Sequence, residues 1–310
     1  MSATDDGGLT SQRRSWLRIA GTTASLALLA WMLSKQDWQE IRANASGIPP
    51  GYLVVAFCLV LGSQGWSTLR WWILMRYQRI RIPYSLAFKL YSAGLFASNF
   101  LPGTIGGDVV RIAGILPHSP DRLVGIASVV ADRVVGVTTM LFALPLSMAT
   151  FGPVIALLLQ GVFVGTILPA AIVLRFRSAL RRLGEVLRPW LSRPQSLLSA
   201  SLASTSGVVS YVTCVWLVAR GLNIDVTALE VAGVTGITYF LSQIPISINA
   251  LGIREAAMIA LYGQLGSTPE QAAALALVTR VLVMGSTIPG AFWLPGLMAA
   301  ARSRPAGEVL

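Results

Sequence analysis

The sequence predicts an all-α polytopic membrane protein. Its expected architecture is two inverted-topology repeats with about six full spans, two re-entrant helical hairpins and both termini in the cytoplasm. Three observations carry this. Of 310 residues, 54% are hydrophobic and 12% charged, and the mean hydropathy is +0.67, which fits spanning helices better than a soluble core. The net charge of +11 comes from basic residues in the gaps between apolar runs, where the positive-inside rule puts them, so no nucleic-acid partner is implied. Finally, the stretch Ser98–Arg111 lies between two apolar runs yet holds Pro102, Gly103, Gly106, Gly107, Asp108 and Arg111. Proline removes a backbone donor and glycine weakens a helix. Broken backbone at membrane depth survives only where protein or a wet cavity surrounds it.

In chain order, residues 1–14 read as a disordered cytoplasmic tail. Arg13-Arg14 before an apolar run looks like a twin-arginine signal, but such a signal serves a folded soluble body. Leu17–Leu33 is therefore expected as a signal anchor and first span. Gly51–Met75 is the second span. Arg70, Arg76, Arg79, Arg81 and Lys89 form a basic stretch at its end and set that end in the cytoplasm. Tyr84–Leu101 is too short and polar for a crossing; it is the inward arm of a hairpin over about 84–117, with Val109–Leu116 returning.

Ser119-Pro120-Asp121 predicts a helix start with Ser119 as cap and Pro120 at the first helical position. In that helix, expected to run to Met148, Arg133 lies roughly 21 Å past the cap at 1.5 Å per residue. Pro153–Leu174 is the next span. Arg175–Arg193 carries six arginines with apolar residues at helical spacing. Two readings stand, an amphipathic helix on the cytoplasmic face over 175–193 or a plain basic loop. Leu197–Ala219 is a further span, and a second hairpin follows over about 228–266. Thr268-Pro269-Glu270-Gln271 has the capping-box pattern, with Arg280 roughly 18 Å into the last helix. The repeats are thus 15–150 and 151–300, before a tail at 301–310.

The halves align at a steady offset. Trp72, Arg76 and Ile80 match Trp216, Arg220 and Ile224 at 144, while Pro102, Arg111 and Ala113 match Pro245, Arg254 and Ala256 at 143. Each half then has a capped start and an arginine deep in the next helix, Arg133 or Arg280. Two spans, a non-crossing hairpin and a third span make an odd number of crossings, so the second half must be upside down. Interrupted helices at matching places in inverted repeats point to a midplane transport site.

At these residues the chain resembles the flippase-like family related to the transmembrane region of lysylphosphatidylglycerol synthases. The carrying residues are Asn99, Pro102, Gly103, Gly106, Gly107, Asp108 and Arg111, then Asp132-Arg133, then Gly252-Ile253-Arg254-Glu255. The likeness runs from about Tyr52 to Pro295. It implies movement of anionic or polyprenyl-type lipids between leaflets of a bacterial cytoplasmic membrane. Some members carry an aminoacyl-transferase domain after the membrane part; ending at Leu310, this chain is expected to lack it, so lipid synthesis is not implied. The family often has Glu-Arg where Asp132-Arg133 stands. It often has Pro-Gly-Gly in the second hairpin, where Pro245-Ile-Ser-Ile-Asn249-Ala250 stands, so the close approach those glycines permit is not implied there.

Arg111, Arg133, Arg254 and Arg280 form two related pairs, and a guanidinium binds phosphate bidentately while staying charged. Two roles stand for them. They cradle a lipid headgroup, or they pair with Asp108, Asp132 and Glu255 and hold the hairpins shut. The expectation is a mixture, with acids orienting arginines and at least one arginine per half facing substrate. Asn99 either bonds the hairpin's free carbonyls or contacts substrate. Pro102, Gly103, Gly106, Gly107, Pro245 and Gly252 are read as hairpin-shaping. Asp108 and Asp132 could carry protons, but a carboxylate beside arginine tends to stay ionised. Cys58 and Cys214 read as small core residues, and His118 as a loop residue. A single histidine leaves no paired-histidine metal motif, and no cofactor is expected.

Three functions compete. The first is a flippase or transporter for a lipid with an anionic headgroup. The second is an intramembrane lipid-phosphate enzyme, which the missing nucleophile elbow and metal motifs disfavour. The third is a non-transporting scaffold that binds lipid for a lipid-modifying enzyme partner.

Overall fold

The computed structural model describes residues 37–100, 106–143, 192–243 and 250–303, with positions 145, 151–152, 188 and 190. The expected spans Leu17–Leu33 and Pro153–Leu174, most of 175–193, and Pro102, Gly103 and Pro245 lie outside them. Within them are nine α-helices: α1 (Trp38–Ser46), α2 (Pro50–Tyr77), α3 (Tyr84–Ser98), α4 (Gly106–Ile115), α5 (Arg122–Ala143), α6 (Pro194–Gly221), α7 (Ala228–Gln243), α8 (Ile253–Gln264) and α9 (Pro269–Ser303). Four, α2, α5, α6 and most of α9, are long and apolar enough to cross a membrane. Large apolar side chains exposed on these helices, among them Val54, Val134, Leu202 and Val281, agree that this is a membrane protein.

The helices begin where local chemistry supplies a start. Pro50 and Pro194 open α2 and α6, each 28 residues long, at the position where the missing N–H costs nothing. Thr268 and Gln271 close the expected capping box, Thr268 N–H donating to Gln271 Oε1 at 3.1 Å and Gln271 N–H to Thr268 Oγ1 at 3.2 Å. The start of α5 differs from expectation. The Asp121 carboxylate, not Ser119, accepts a first-turn N–H, that of Leu123 at 3.3 Å. Ser119 instead donates to the Asp121 carbonyl at 2.7 Å. A carboxylate beside the positive helix end outcompetes a hydroxyl two residues further out.

The ends of α2 and α6 are built alike. Arg79 and Asn223 adopt left-handed backbone, φ 62° and 56°. Ile80 N–H reaches Met75 O at 3.1 Å and Ile224 N–H reaches Ala219 O at 3.0 Å, the six-to-one bond of a Schellman cap. Trp72 Nε1 donates to Ile82 O at 2.9 Å, and Trp216 Nε1 to Val226 O at 3.1 Å. Arg76 and Arg220 lie over these indoles at 4.7 and 5.6 Å.

α2 and α6 share the largest interhelical contact. Ser63 Oγ donates to Gly207 O at 2.9 Å and Arg70 Nη1 to Ser204 Oγ at 3.0 Å, while Ile48 and Tyr52 pack on Gly221. Rising along α2 means descending along α6, so the two run antiparallel. α3 and α4 also run antiparallel. They meet so closely at Gly94 and Gly107 that a Cβ on Gly107 would overlap the Gly94 carbonyl. α3 lies on α9 with equal intimacy, where a Cβ on Gly290 would overlap the Ser92 carbonyl. The largest apolar core joins α2, α6, α7, α8 and α9 around Val215, Ile237, Tyr262 and Leu275.

Candidate functional site: a chain of ion pairs beside a divided cavity

Five charged side chains from three helices alternate in sign. Arg70 Nε (α2) meets Asp132 Oδ1 (α5) at 2.6 Å. Asp132 Oδ2 accepts from Arg111 Nη2 (α4) at 2.8 Å. Arg111 Nη1 reaches Asp108 Oδ1 at 3.3 Å, and Asp108 Oδ2 accepts from Arg133 Nε at 2.8 Å. Alternation is what makes burial of so much charge tolerable, since an ion taken from water costs several kcal/mol unless paired. Arg70 also has room because it approaches α5 at Gly136, where an added Cβ would lie 3.1 Å from Nη1.

The chain has a dry end and a wet end. The Asp132 side chain is 1% exposed, and Arg111 lies over Trp71 at 4.2 Å and Tyr91 at 4.6 Å. Cation–π contacts of this kind are worth about 2 kcal/mol when desolvated, so Arg111 is a fixed part of the wall. Arg133, by contrast, is 37% exposed along its side chain. It faces the cavity with one carboxylate at its back.

Among the described residues, three adjoining chambers line the cavity. A cationic chamber of about 210 Å³ is walled by Arg70, Asp108, Arg111, Asp132, Arg133 and Ser204. A chamber of about 290 Å³ beside it shares Ser63, Ser67, Tyr91, Ser98, Arg133 and Tyr211. The third, about 240 Å³, is walled by Thr235, Thr238, Ser242, Arg254 and Arg280, with Tyr211 and Tyr239. Tyr211 borders all three. The contact of Ser63 with Gly207 lies in the cationic wall.

The structure thus brings Arg111, Arg133, Asp108 and Asp132 together, and separately Arg254, Arg280 and Glu255. Arg280 Nη1 pairs with Glu255 Oε1 at 3.3 Å, and Glu255 Oε2 also accepts the Gly252 N–H at 2.7 Å. Gly252 itself sits at φ 89°, backbone that suits glycine. Arg254 donates to the Tyr211 hydroxyl. In the pairs α4/α5 and α8/α9 alike, then, an arginine of the long helix takes its acid from the short helix that precedes it. Asp108 stands three residues before Arg111 and Glu255 one residue after Arg254. That four-residue shift is about one helical turn, so the acid keeps its face. Asn99 caps α3, and its Nδ2 donates to Thr287 Oγ1 of α9 at 3.0 Å. Gly106 and Gly107 open α4, and His118 lies in an exposed 3-10 turn.

The sequence reading assigned Arg70 to a basic helix end. It is instead turned inward, ending the chain of ion pairs on the side away from Arg133. Its signal was there: Ser63, Ser67 and Arg70 recur at helical spacing on one face of α2. Tyr91, Ser204 and Tyr211 were missed as well, and only tertiary packing collects them.

Residues 17–290 match the family model described as the lysylphosphatidylglycerol synthase TM region. No curated protein and no solved structure gives a match.

Proposed function

The chain belongs to the lysylphosphatidylglycerol synthase TM region family, and on that footing we propose that it moves an anionic lipid between leaflets. The lipid is of phospholipid or polyprenyl-phosphate type, and the membrane is the bacterial cytoplasmic one. The family supports a membrane lipid-related role. The observation that carries the transport reading is Arg133, a partly exposed guanidinium at the cavity wall that pairs with Asp108 through Nε. A phosphate entering the cationic chamber meets this guanidinium and competes with the Asp108 carboxylate for it. Because Asp108 sits on the short helix α4 and Arg133 on the long helix α5, that exchange loosens the hairpin from the span. Binding energy at the headgroup is thereby coupled to movement of a structural element.

The architecture we infer is two inverted repeats with re-entrant hairpins and both termini cytoplasmic. Equal helices α2 and α6 with matching caps, running antiparallel and touching at Ser63 and Gly207, support it. A two-fold axis through that contact lies across the helices and therefore in the membrane plane. No catalytic group or cofactor is part of this reading. The test is leaflet exchange in vesicles holding the purified protein. Labelled phosphatidylglycerol or polyprenyl phosphate should cross, and Arg133→Ala should slow it at least tenfold. No exchange of either lipid would move the reading to a scaffold that presents lipid to a modifying enzyme.

A further inference from the structure

The short helices α4 and α8 are tied down unequally. α4 makes two ion pairs to α5, Arg111 with Asp132 at 2.8 Å and Asp108 with Arg133 at 2.8 Å, and Asp132 passes the tie on to Arg70 of α2 at 2.6 Å. In the second half Arg254 matches Arg111 and Arg280 matches Arg133, but the middle of the chain is gone. Thr279 precedes Arg280 where Asp132 precedes Arg133, and Cys214 stands 144 positions beyond Arg70. Both are buried, and Thr279 Oγ1 donates to Leu275 O of its own helix at 2.8 Å. Among the described residues Arg254 pairs with no carboxylate; it donates to the Tyr211 hydroxyl. Val215 stands 144 positions beyond Trp71, so the indole under Arg111 has no counterpart, and the Tyr211 ring lies 5.9 Å from Arg254. Glu255 with Arg280, at 3.3 Å, is the one ion pair of α8 among the described residues.

The backbone joints differ as well. α3 and α4 nest at Gly94 and Gly107, where a Cβ on Gly107 would overlap the Gly94 carbonyl. The residue 143 beyond Gly107 is Ala250, which carries that Cβ, and those 143 and 144 beyond Gly94 are Ile237 and Thr238. α8 therefore cannot nest on α7 in the same way. Ala250 is itself held at φ 52°, left-handed backbone that a residue with a Cβ resists. Such strain persists only where the surrounding structure imposes it, and it marks elements with a second position.

We infer that the two halves have diverged into a docked hairpin helix and a swinging one: α8 pivots at Ala250–Gly252 while α4 stays in place. This rests on the transport reading above and names its moving part. A headgroup that takes Arg133 from Asp108 loosens α4 but leaves it docked through Arg111 and Asp132. The same exchange at Arg280 frees Glu255, the only acid of α8, and leaves Tyr211 to hold Arg254. With 12 residues, α8 is about 18 Å long, so a small tilt at the joint carries its far end a long way.

Spin-label pairs at exposed positions read the two helices separately: Arg220 with Gln264 for α8, and Arg76 with His118 for α4. The whole protein is used, with Cys58 and Cys214 replaced. Distances are compared in phosphatidylcholine vesicles with and without phosphatidylglycerol, and leaflet exchange is followed in the same vesicles. Phosphatidylglycerol should add a second α8 distance, displaced by about 5 Å, the scale of one helical turn, and leave the α4 distance unmoved. Ala250→Gly should enrich the original α8 distance about fivefold, because glycine takes either hand freely and sheds the penalty only in that position. An unchanged ratio would overturn the pivot. If the α4 pair shifts as far as the α8 pair, or neither shifts while lipid crosses, the swinging helix is overturned and transport stands. If α8 moves but no lipid crosses, transport falls and the swinging helix stands. Silence from both labels and no exchange would remove both.

Discussion

Ser63 donates its hydroxyl to the carbonyl of Gly207, the residue 144 positions further along, at 2.9 Å. Contact between positions 144 apart on two antiparallel helices is what the proposed two-fold axis would produce, and it leaves a side chain at 207 crowded. A Cβ there would lie 3.3 Å from Trp66 Cβ and 3.4 Å from Ser63 O. Gly207→Leu should therefore destabilise by about 1–3 kcal/mol through overpacking. Gly62→Ala on the same α2, where an added Cβ meets nothing within 4 Å, should be neutral or stabilising by up to about 1 kcal/mol. Unfolding in detergent measures both, and equal losses would remove the crossing from its central place.

What the sequence made legible follows the range of the interaction. Helix bounds, the capping box at Thr268 and the 144-residue offset depend on neighbours a few positions apart, or on simple comparison of the halves. Partner choice does not. Asp108 and Arg111 read as a local pair three residues apart, and they do touch. The stronger contacts, though, join Asp132 to Arg70 and Arg111, and Asp108 to Arg133, across helices. Arg70 was misplaced because charge near the end of an apolar run satisfies the positive-inside rule equally well in water or turned inward. Only the phase of Ser63, Ser67 and Arg70 around the helix tells the two apart.

Asp132 holds two guanidiniums, so its loss should be severe. Asp132→Ala leaves Arg70 and Arg111 buried without their shared carboxylate and should cost about 3–5 kcal/mol. Adding Arg70→Met should recover part of that, because one uncompensated cation goes with it. A double-mutant cycle on unfolding in detergent should show coupling of about 1–3 kcal/mol. Additive losses would mean the 2.6 Å contact carries little energy.

Arg133 should be sensitive to more than its charge. Lysine keeps the positive charge but has no planar fork to hold phosphate and Asp108 together. Arg133→Lys should retain stability within about 1 kcal/mol, as expected for a partly exposed pair, yet lose most of its leaflet exchange. Full exchange in the lysine variant would reduce Arg133 to a point charge.

The proposed topology sets sides for loops on both faces. In a background with Cys58 and Cys214 replaced, single cysteines at Gly47, Thr150 and Gly266 should react with an impermeant thiol reagent from outside the cell. Cysteines at Gln78, Ser119 and Ser192 should react only after permeabilisation. Native Cys58 is exposed on α2 and Cys214 buried in α6, so the first in particular must be removed. Labelling of Gln78 and Gly47 from the same side would break the span assigned to α2.

Tyr211 borders all three chambers. Its counterpart 144 positions earlier is Ser67, and both border the central chambers. The cationic chamber and the one beside it both touch the small Ser67 hydroxyl, whereas the Tyr211 phenol stands between them and the chamber of Arg254 and Arg280. The phenol also accepts from Arg254, which holds that guanidinium in the partition. Tyr211→Ser should join the chambers and release Arg254, so bulkier headgroups should gain in leaflet exchange relative to small ones. Tyr211→Phe keeps the wall but not the acceptor, and should leave the size preference intact while costing about 1–3 kcal/mol for the unmet Arg254 donor. If both variants widen headgroup tolerance equally, the hydroxyl and not the ring is the partition; if neither does, Tyr211 is packing alone.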